Sequence, residues 1–269
     1  MNSPILLSTA HRAIILAPHP DDDVIGAGGL IQRLLAARSE LHVVFITDGE
    51  NNPWPQRFME RKLFIEAGDR QKWGEMRRRE AICSLARLGI GESSCTFLAF
   101  PDSGMARLAR RHDTSLVDAL RALFAKIEPT LIVSPSSFDL HSDHRAIAYF
   151  AHAAAGANTP VATYVVHGAG PKERLALSIE LTESEKKRKH EAIECHVSQL
   201  TLSRERFLSY ARPTESFFTS EFDVVRVDSA IHEWWTAFRH SIRVLFGIYP
   251  AVDSGHTPDD GLRVPRHIA

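Results

Sequence analysis

Two short polar segments contain the side chains best suited to chemistry in this chain. One reads His-Pro-Asp-Asp-Asp over residues 19–23, and the other reads His-Ser-Asp-His over residues 141–144. A hydrolytic zinc ion needs three protein ligands, usually imidazoles and carboxylates, and an open position for water. His19 and Asp22 lie three residues apart and can face one point, and His144 supplies the third ligand. The two segments together predict a metal site.

The same segments offer a group that could work beside the metal. Zinc lowers the pKa of a water molecule towards ~7 and polarises a carbonyl oxygen. Asp21, next to the proposed ligand Asp22, would take the proton as that water attacks. Each segment alone also fits a capped helix start or a structural histidine pair. Two of them, each after a predicted strand, favour the metal site.

The elements that precede the segments explain how they could meet. Residues 13–17 and 131–134 are short apolar runs bounded by polar residues, which is typical of interior strands in a parallel sheet. In the common doubly wound strand order these two strands are neighbours, at the topological switch point where ligands bind. We therefore expect the active site at the C-terminal edge of the strands.

The remaining pattern predicts a Rossmann-like, doubly wound α/β fold with a mostly parallel sheet and helices on both faces. Apolar runs alternate with amphipathic segments in the strand–helix rhythm of such folds. The predicted strands are 13–17, 41–47, 96–100, 130–134 and 161–166. The predicted helices are 26–38, 75–88, 116–127, 144–155 and 182–202, with a polar loop after residue 48.

Composition excludes several classes of function. A formal net charge of −1 gives no broad electrostatic case for nucleic acid or an anionic membrane. Cys83, Cys95 and Cys195 form no Cys-x-x-Cys pair, which fits a reducing compartment. No apolar run approaches the ~20 residues of a membrane span. The sequence is therefore interpreted as a cytoplasmic enzyme with a small-molecule substrate.

We expect one domain over residues 1–269. A C-terminal helical extension is predicted over 200–250, and the Pro- and Gly-rich tail 252–269 is expected to be loosely ordered. An aromatic stripe in the extension, including Trp234 and Trp235, is more typical of a core or an oligomer contact than of a membrane anchor. A homo-oligomer is therefore possible.

The motifs resemble the PIG-L (LmbE-like) family of zinc-dependent N-acetylglucosaminyl deacetylases. That family has Ala-His-Pro-Asp-Asp-Glu after its first strand and His-x-Asp-His after a later one. Weaker similarities follow in the family's order at 47–50, 77–80, 100–105 and 196–199, so the resemblance covers about residues 13–200. It implies hydrolysis of an N-acetyl group from an amino-sugar conjugate, releasing acetate and an amine.

The resemblance also assigns roles by matching position. It implies His19, Asp22 and His144 as ligands of zinc, with another divalent cation such as Fe²⁺ as an option. It implies Asp21 as the general base, which later protonates the departing amine. His141 would stabilise the oxyanion while Asp143 orients its ring. The residues implied to hold the sugar or its attached group are Arg77 and Asp102.

Two positions depart from the family pattern. Pro18 replaces a small residue before His19 and would stiffen the loop. Asp23 replaces the usual Glu, and its shorter side chain would reach less far if that position braces a neighbouring loop. Neither change removes a proposed ligand or the base.

Three alternatives stay open at this point. Two His and one carboxylate also describe non-haem Fe(II) oxygenases, in which Asp21 would have no obvious task. A nucleotide-binding or glycosyl-transferring Rossmann-type domain is hinted at only by Gly26-x-Gly28-Gly29, which lacks the full fingerprint spacing. A catalytically silent binding protein on the same fold is the third.

The sequence leaves the substrate's attached group undetermined. The loops around 48–72 and 167–175 and the C-terminal segment would shape the pocket that selects it. The roles of His167, His196 and Gln199 are likewise undetermined.

Overall fold

Strand β1 (Arg12–Ala17) lies in the middle of the sheet because both of its faces are apolar. Ile15 and Ala17 pack with one hydrophobic cluster and Ile14 and Leu16 with another, all fully buried. This alternation follows the two-residue period of an extended strand. The computed structural model describes residues 10–156 and 159–220.

Seven strands form one mixed sheet with the order β3-β2-β1-β4-β5-β7-β6. The other strands are β2 (Glu40–Thr47), β3 (Cys95–Phe100), β4 (Leu131–Pro135), β5 (Val161–Tyr164), β6 (Leu175–Glu180) and β7 (Thr214–Thr219). Strands β1 to β5 are parallel, and β7 and β6 add an antiparallel edge. The predicted doubly wound, mostly parallel sheet is confirmed.

Helices cover both faces of the sheet. They are α1 (Asp22–Ala36), α2 (Pro53–Glu60), α3 (Ala67–Leu88), α4 (Met105–Arg110), α5 (Ser115–Ile127), α6 (Ser142–Ala154), α7 (Glu183–Ile193), α8 (Val197–Leu200) and α9 (Arg204–Leu208). Apolar residues of α1, α3 and α7 share one core cluster, and those of α4, α5 and α6 share the other. This is the layering that the strand–helix alternation predicts.

The site-bearing segments meet because β4 pairs directly with β1. Ile15 is in register with Val133, so the two strands end at the same edge of the sheet. The first segment follows β1 and opens α1, and the second follows β4 and opens α6. Strand order reverses here, since β2 and β3 lie on the other side of β1. The predicted switch point is confirmed.

Several element boundaries differ from the sequence prediction. Helix α3 begins at Ala67 rather than residue 75, because the Asp69 side chain accepts from the Glu66 N–H at 3.2 Å and caps the earlier start. The predicted loop after residue 48 contains α2, which Pro53 opens at its first position. Helix α1 begins at Asp22 rather than residue 26, and the predicted helix 182–202 breaks after Ile193.

The predicted helical extension is only partly within the described residues. Residues 204–219 contain the short helix α9 and strand β7, so this stretch returns to the sheet. The predicted helix with Trp234 and Trp235 and the tail 252–269 lie outside the described residues. Over 10–156 and 159–220, every helix is too short or too polar to cross a bilayer.

Candidate active site

Three ligand-type side chains converge at the β1–β4 edge. His19, Asp22 and His144 each offer one ligand atom, and these atoms lie within 4.8 Å of one another. Oδ2 of Asp22 sits between the two rings, 3.0 Å from Nδ1 of His19 and 3.2 Å from Nε2 of His144. The structure thus brings together the residues expected to bind a metal.

The donor set fits a divalent cation. Nε2 of His144 is buried and has no partner with hydrogen-bond geometry among the described residues. Burial disfavours charge on Asp22, yet the imidazoles of His144 and His19 hold the pKa of Asp22 well below its usual range. An ionised carboxylate between two imidazoles is the donor chemistry that zinc prefers.

Asp139 is a functional candidate that the sequence reasoning missed. Its buried carboxylate lies 3.2 Å from Nδ1 of His144 and accepts the backbone N–H groups of His141, Val166 and His167 at 2.9, 2.8 and 3.1 Å. Burial opposes ionisation, but His144 and His167 keep the pKa of Asp139 below its usual value. A carboxylate on the far nitrogen of a ligand imidazole fixes that ring's orientation.

We expect Asp139→Asn to weaken zinc binding by about 10–100-fold, the range for losing such an outer carboxylate. The amide oxygen can still accept a backbone N–H, so the loop should stay folded while Nδ1 of His144 loses its anionic partner. Competition for zinc with a chelating dye measures the effect. Asp118→Asn, at an exposed carboxylate of α5, is the matched control. Equal zinc affinity in both variants would remove Asp139 from the site.

His141 is oriented differently from what the resemblance implies. The backbone N–H of Asp143 donates to Nδ1 of His141 at 3.3 Å. The Asp143 carboxylate instead accepts from the Met105 N–H at 3.2 Å, and its other oxygen lies 3.9 Å from Nε2 of His19. The expectation that this carboxylate holds the His141 ring is therefore corrected. At the start of α6 the backbone N–H of Asp143, and not its side chain, contacts the ring.

This contact also sets the proton on His141. Burial lowers the pKa of His141 well below its usual value, with the charges of His144 and His19 acting in the same direction. A neutral ring whose Nδ1 accepts a hydrogen bond carries its proton on Nε2. His141 can therefore act as a neutral hydrogen-bond donor.

Asp21 lies beside the ligand cluster and is paired with Arg77. The Arg77 guanidinium donates to Oδ2 of Asp21 at 2.9 Å and to the carbonyls of Gly49 and Pro20 at 2.8 and 3.2 Å. Burial raises the pKa of Asp21 to about 7, while the Arg77 charge opposes that shift. A carboxyl tuned close to neutrality is suited to accept and return a proton.

The position of Arg77 suggests a role different from the sugar contact that the resemblance implies. Its side chain is 3% exposed and its amino groups are engaged by Asp21 and the loop carbonyls. We expect Arg77→Met to lower the free energy of unfolding by about 3–5 kcal/mol, since it leaves the Asp21 carboxylate buried without its partner. Urea unfolding measures this.

The control for Arg77 is Arg79→Met, at an exposed position of the same helix. The double variant Asp21→Asn/Arg77→Met should recover part of the stability, because it removes both charges together. A folded Arg77→Met enzyme with normal stability and a raised KM would instead support direct sugar binding.

Asp102, the other residue expected to hold the substrate, lies against the proposed metal ligand His19. Its Oδ1 lies 3.2 Å from Nε2 of His19, and its Oδ2 accepts the Asn51 N–H at 2.9 Å. Burial disfavours its charge, but His19 holds the pKa of Asp102 below the usual range. Asp102 therefore joins the loop after β2 to the first proposed ligand.

The structure gives surroundings for three residues whose roles the sequence left undetermined. The His167 ring centroid lies 5.3 Å from that of His144 and 5.7 Å from that of His141. His196 is fully buried, and burial lowers its pKa to about 3. Gln199 accepts a 3.0 Å hydrogen bond from Asn52 and ties the loop before α2 to α8.

The two departures from the family pattern are accommodated in the fold. The Pro18 carbonyl accepts from the N–H and hydroxyl of Thr47 at 3.0 and 2.9 Å, which fixes the loop after β1 against β2. Asp23 is fully buried in the first turn of α1, and burial raises the pKa of its carboxyl to about 8. Burial therefore favours the neutral form of the Asp23 carboxyl.

This doubly wound sheet, with a His–Asp cluster at its switch point, has the fold of the LmbE-like deacetylases. Residues 14–155 match the model of the PIG-L family, described as GlcNAc-PI de-N-acetylase, and the chain belongs to that family. The resemblance seen in the motifs is confirmed.

Curated relatives support the family assignment at low identity. The chain is 26% identical over 251 residues to a 1D-myo-inositol 2-acetamido-2-deoxy-alpha-D-glucopyranoside deacetylase of Corynebacterium glutamicum (strain R). That alignment covers 80% of this chain and 84% of the relative. The relative acts on an acetylated amino-sugar conjugate, as its name states.

Solved structures share the fold. The N,N'-diacetylchitobiose deacetylase of Pyrococcus horikoshii superposes with a TM-score of 0.57 at 22% identity, covering 77% of this chain and 83% of that one. The 4-carboxy-2-hydroxymuconate hydratase of Pseudomonas putida KT2440 gives 0.60 at 20% identity, covering 81% and 99%. The fold therefore accommodates more than one reaction.

Proposed function

We propose that this chain is a zinc-dependent amidohydrolase that removes an N-acetyl group from an N-acetylglucosamine-type sugar conjugate. The observation that carries the proposal is the convergence of His19, Asp22 and His144 beside Asp21. Membership of the PIG-L family supports deacetylation over the hydratase chemistry found on the same fold. The curated relative supports an amino-sugar conjugate as the substrate class.

The metal would be held by His19, Asp22 and His144. A zinc ion there would supply an acidified water molecule and polarise the amide carbonyl. Asp22 is the ionised member of this set, and Asp139 would hold the His144 ring in place through its far nitrogen.

Asp21 would move the proton. Its Oδ2 is bonded to Arg77, which leaves Oδ1 to accept a proton as the oxygen of the attacking water forms a bond to the amide carbon. When the carbon–nitrogen bond breaks, the same carboxyl would return that proton to the departing nitrogen. Acetate and a free amine are the products, and Asp21 ends as it began.

His141 would stabilise the charge that develops on the carbonyl oxygen. Its Nδ1 is occupied by the Asp143 N–H, so a neutral ring presents an Nε2–H donor. Donors fixed before the reaction stabilise the transition state without reorganising. His167 lies close enough to His141 and His144 to restrict the space around them.

The Gly-rich stretch no longer favours nucleotide binding. Gly26, Gly28 and Gly29 lie inside α1 rather than in a turn between strand and helix. A Cβ on Gly26 would lie 2.2 Å from the Tyr164 ring, so this glycine allows close packing against β5.

The direct test is to load the purified protein with one equivalent of zinc and incubate it with a panel of N-acetylated sugar conjugates. We expect equal amounts of primary amine and acetate from at least one member, and a rate at least ~10²-fold lower from the Asp21→Asn protein. Loading with Fe²⁺ under oxygen, with substrate oxidation as the readout, separates the oxygenase alternative. A zinc-loaded protein that releases neither product across the panel would contradict the proposal.

A further inference from the structure

A buried ion pair contacts residues 25–30 of helix α1, just after the first turn that contains Asp22. Nζ of Lys189 in α7 lies 2.7 Å from Oε1 of Glu215 in β7. The two side chains are 1% and 3% exposed. Both residues lie beyond the 14–155 region that matches the family, and neither is used in the chemistry above.

Both side chains form hydrogen bonds with backbone groups in the middle of α1. In a regular α-helix the Gly29 N–H donates to the Ile25 carbonyl. Here Lys189 donates to the Ile25 carbonyl at 2.9 Å, and Glu215 accepts from the Gly29 N–H at 2.6 Å. The other Glu215 oxygen accepts from the Leu30 N–H at 2.9 Å. The pair therefore contacts backbone groups where the first turn of α1 meets the rest of the helix.

The glycines of α1 leave room for the two side chains to approach the helix backbone. A Cβ on Gly29 would lie 3.0 Å from Cδ of Glu215 and 2.3 Å from the Leu181 side chain. A Cβ on Gly28 would lie 3.2 Å from Cγ of Lys189. Glycine at these positions weakens a helix intrinsically, so the close approach of the pair accounts for their presence.

The ion pair contacts the first turn of α1, and this turn positions Asp21 and Asp22. The Ile25 N–H donates to the Asp21 carbonyl at 3.0 Å, and Lys189 fixes the carbonyl of the same Ile25. Asp22 lies within this turn, with its carboxylate between the imidazoles of His19 and His144. Any shift of the turn along the helix axis moves Asp21 and Asp22 together.

Stability alone does not explain such a pair. Removing two charges from water costs about as much as their attraction returns, and apolar pairs of similar size often give equal or greater stability. The Arg33–Glu185 pair lies nearer the surface, and the buried Arg77–Asp21 pair belongs to the candidate site itself. The Lys189–Glu215 pair is distinguished by its contacts to backbone groups of one helix.

We propose that Lys189 and Glu215 are positioning residues that hold the first turn of α1 so that Asp21 and Asp22 face His144. The expected effect of the pair on zinc affinity is argued from the geometry of the site alone. Its expected effect on turnover rests on the proposed function. Neither side chain touches the reacting atoms. Their action passes through the backbone of residues 25–30.

The test compares zinc affinity with stability in Lys189→Met/Glu215→Leu. Apolar replacement should keep the protein folded with a thermal midpoint near that of the natural chain, while the α1 backbone loses its side-chain partners. We expect zinc affinity, measured by dye competition, to fall about 10-fold or more. A fall in kcat with little change in KM should accompany it. Unchanged zinc affinity in the folded double variant would overturn the proposal.

A second pair of variants covers the case in which the double variant fails to fold. Glu215→Gln keeps the side chain's shape but removes the charge, and we expect it to weaken zinc binding. Leu34→Ala, at a fully buried site in a later turn of α1, should lower stability while both members of the ion pair remain, and its zinc affinity should be unchanged. Equal loss of affinity in both variants would show a general loss of structure and overturn the positioning role.

These measurements also separate this proposal from the proposed function. If the natural chain binds zinc but releases no amine from any substrate, the proposed reaction fails, and the affinity comparison still decides the positioning role. If the natural chain is active and the folded double variant binds zinc and turns over equally well, only the positioning role fails.

Discussion

Replacing Asp21 with asparagine is expected to lower kcat by at least ~10²-fold while the zinc content stays close to that of the natural chain. In the proposed mechanism the carboxylate accepts a proton in the transition state, and removing a positioned general base typically costs 10²–10⁴-fold. Asparagine has nearly the same shape and can still accept from Arg77 through its amide oxygen, so the site should keep its form.

The choice of substitution follows from the buried Arg77. Alanine at position 21 should also abolish most turnover, but it leaves the guanidinium without its carboxylate and adds a folding penalty. Asp118→Asn serves as the control for a carboxyl-to-amide change at an exposed site. Steady-state kinetics with zinc analysis of the same samples gives the result. Normal kcat in a zinc-loaded Asp21→Asn protein would show that another group accepts the proton.

Replacing His144 with alanine is expected to abolish both zinc binding and turnover. His144 is fully buried between the carboxylates of Asp22 and Asp139, at 3.2 Å from each. Its loss would remove one of the three proposed ligands and leave two carboxylates facing each other across a cavity. Charge repulsion and the missing donor act in the same direction, so this variant should lose more affinity than Asp139→Asn.

Zinc content after dialysis, thermal unfolding and amine release together measure the His144 effect. His152→Ala is the matched control, because His152 is exposed on the same helix. His19→Ala should behave like His144→Ala, since both contact the same oxygen of Asp22. Stoichiometric zinc in either variant would mean that the ligand set is wrong.

The sequence predicted the centre of the fold better than its edge. Because β1 and β4 have apolar residues on both faces, they are predicted to be interior strands of the sheet. Strand β7 was not predicted, because it contains Glu215, whose buried carboxylate is paired with Lys189 and with backbone N–H groups of α1. A long-range ion pair of this kind leaves no trace in a local hydrophobic pattern.

In the candidate site, too, some residues could be predicted from the sequence and others could not. Fixed spacing within a helix start predicted that His19 and Asp22 would share a centre with His144. Asp139 belongs to no recurring motif, and its contact with His144 depends on how residues 136–141 turn. The useful signal was a carboxylate in the loop between β4 and the His-x-x-His segment. The contact of Arg77 with Asp21 could not be predicted, because it depends on how α3 lies beside the loop after β1.

The pairing of β4 with β1 also bears on the order of events during synthesis. The two imidazoles are 125 residues apart in sequence (144 minus 19), and β2 and β3 are made between them. Closing so long a loop is slow compared with forming local contacts. A nascent chain that has made only its first three strands has His19 and Asp22 but lacks His144, so a metal held by all three residues would bind only after β4 and the start of α6 are made. Metal uptake would thus report that the central long-range contact of the sheet has formed.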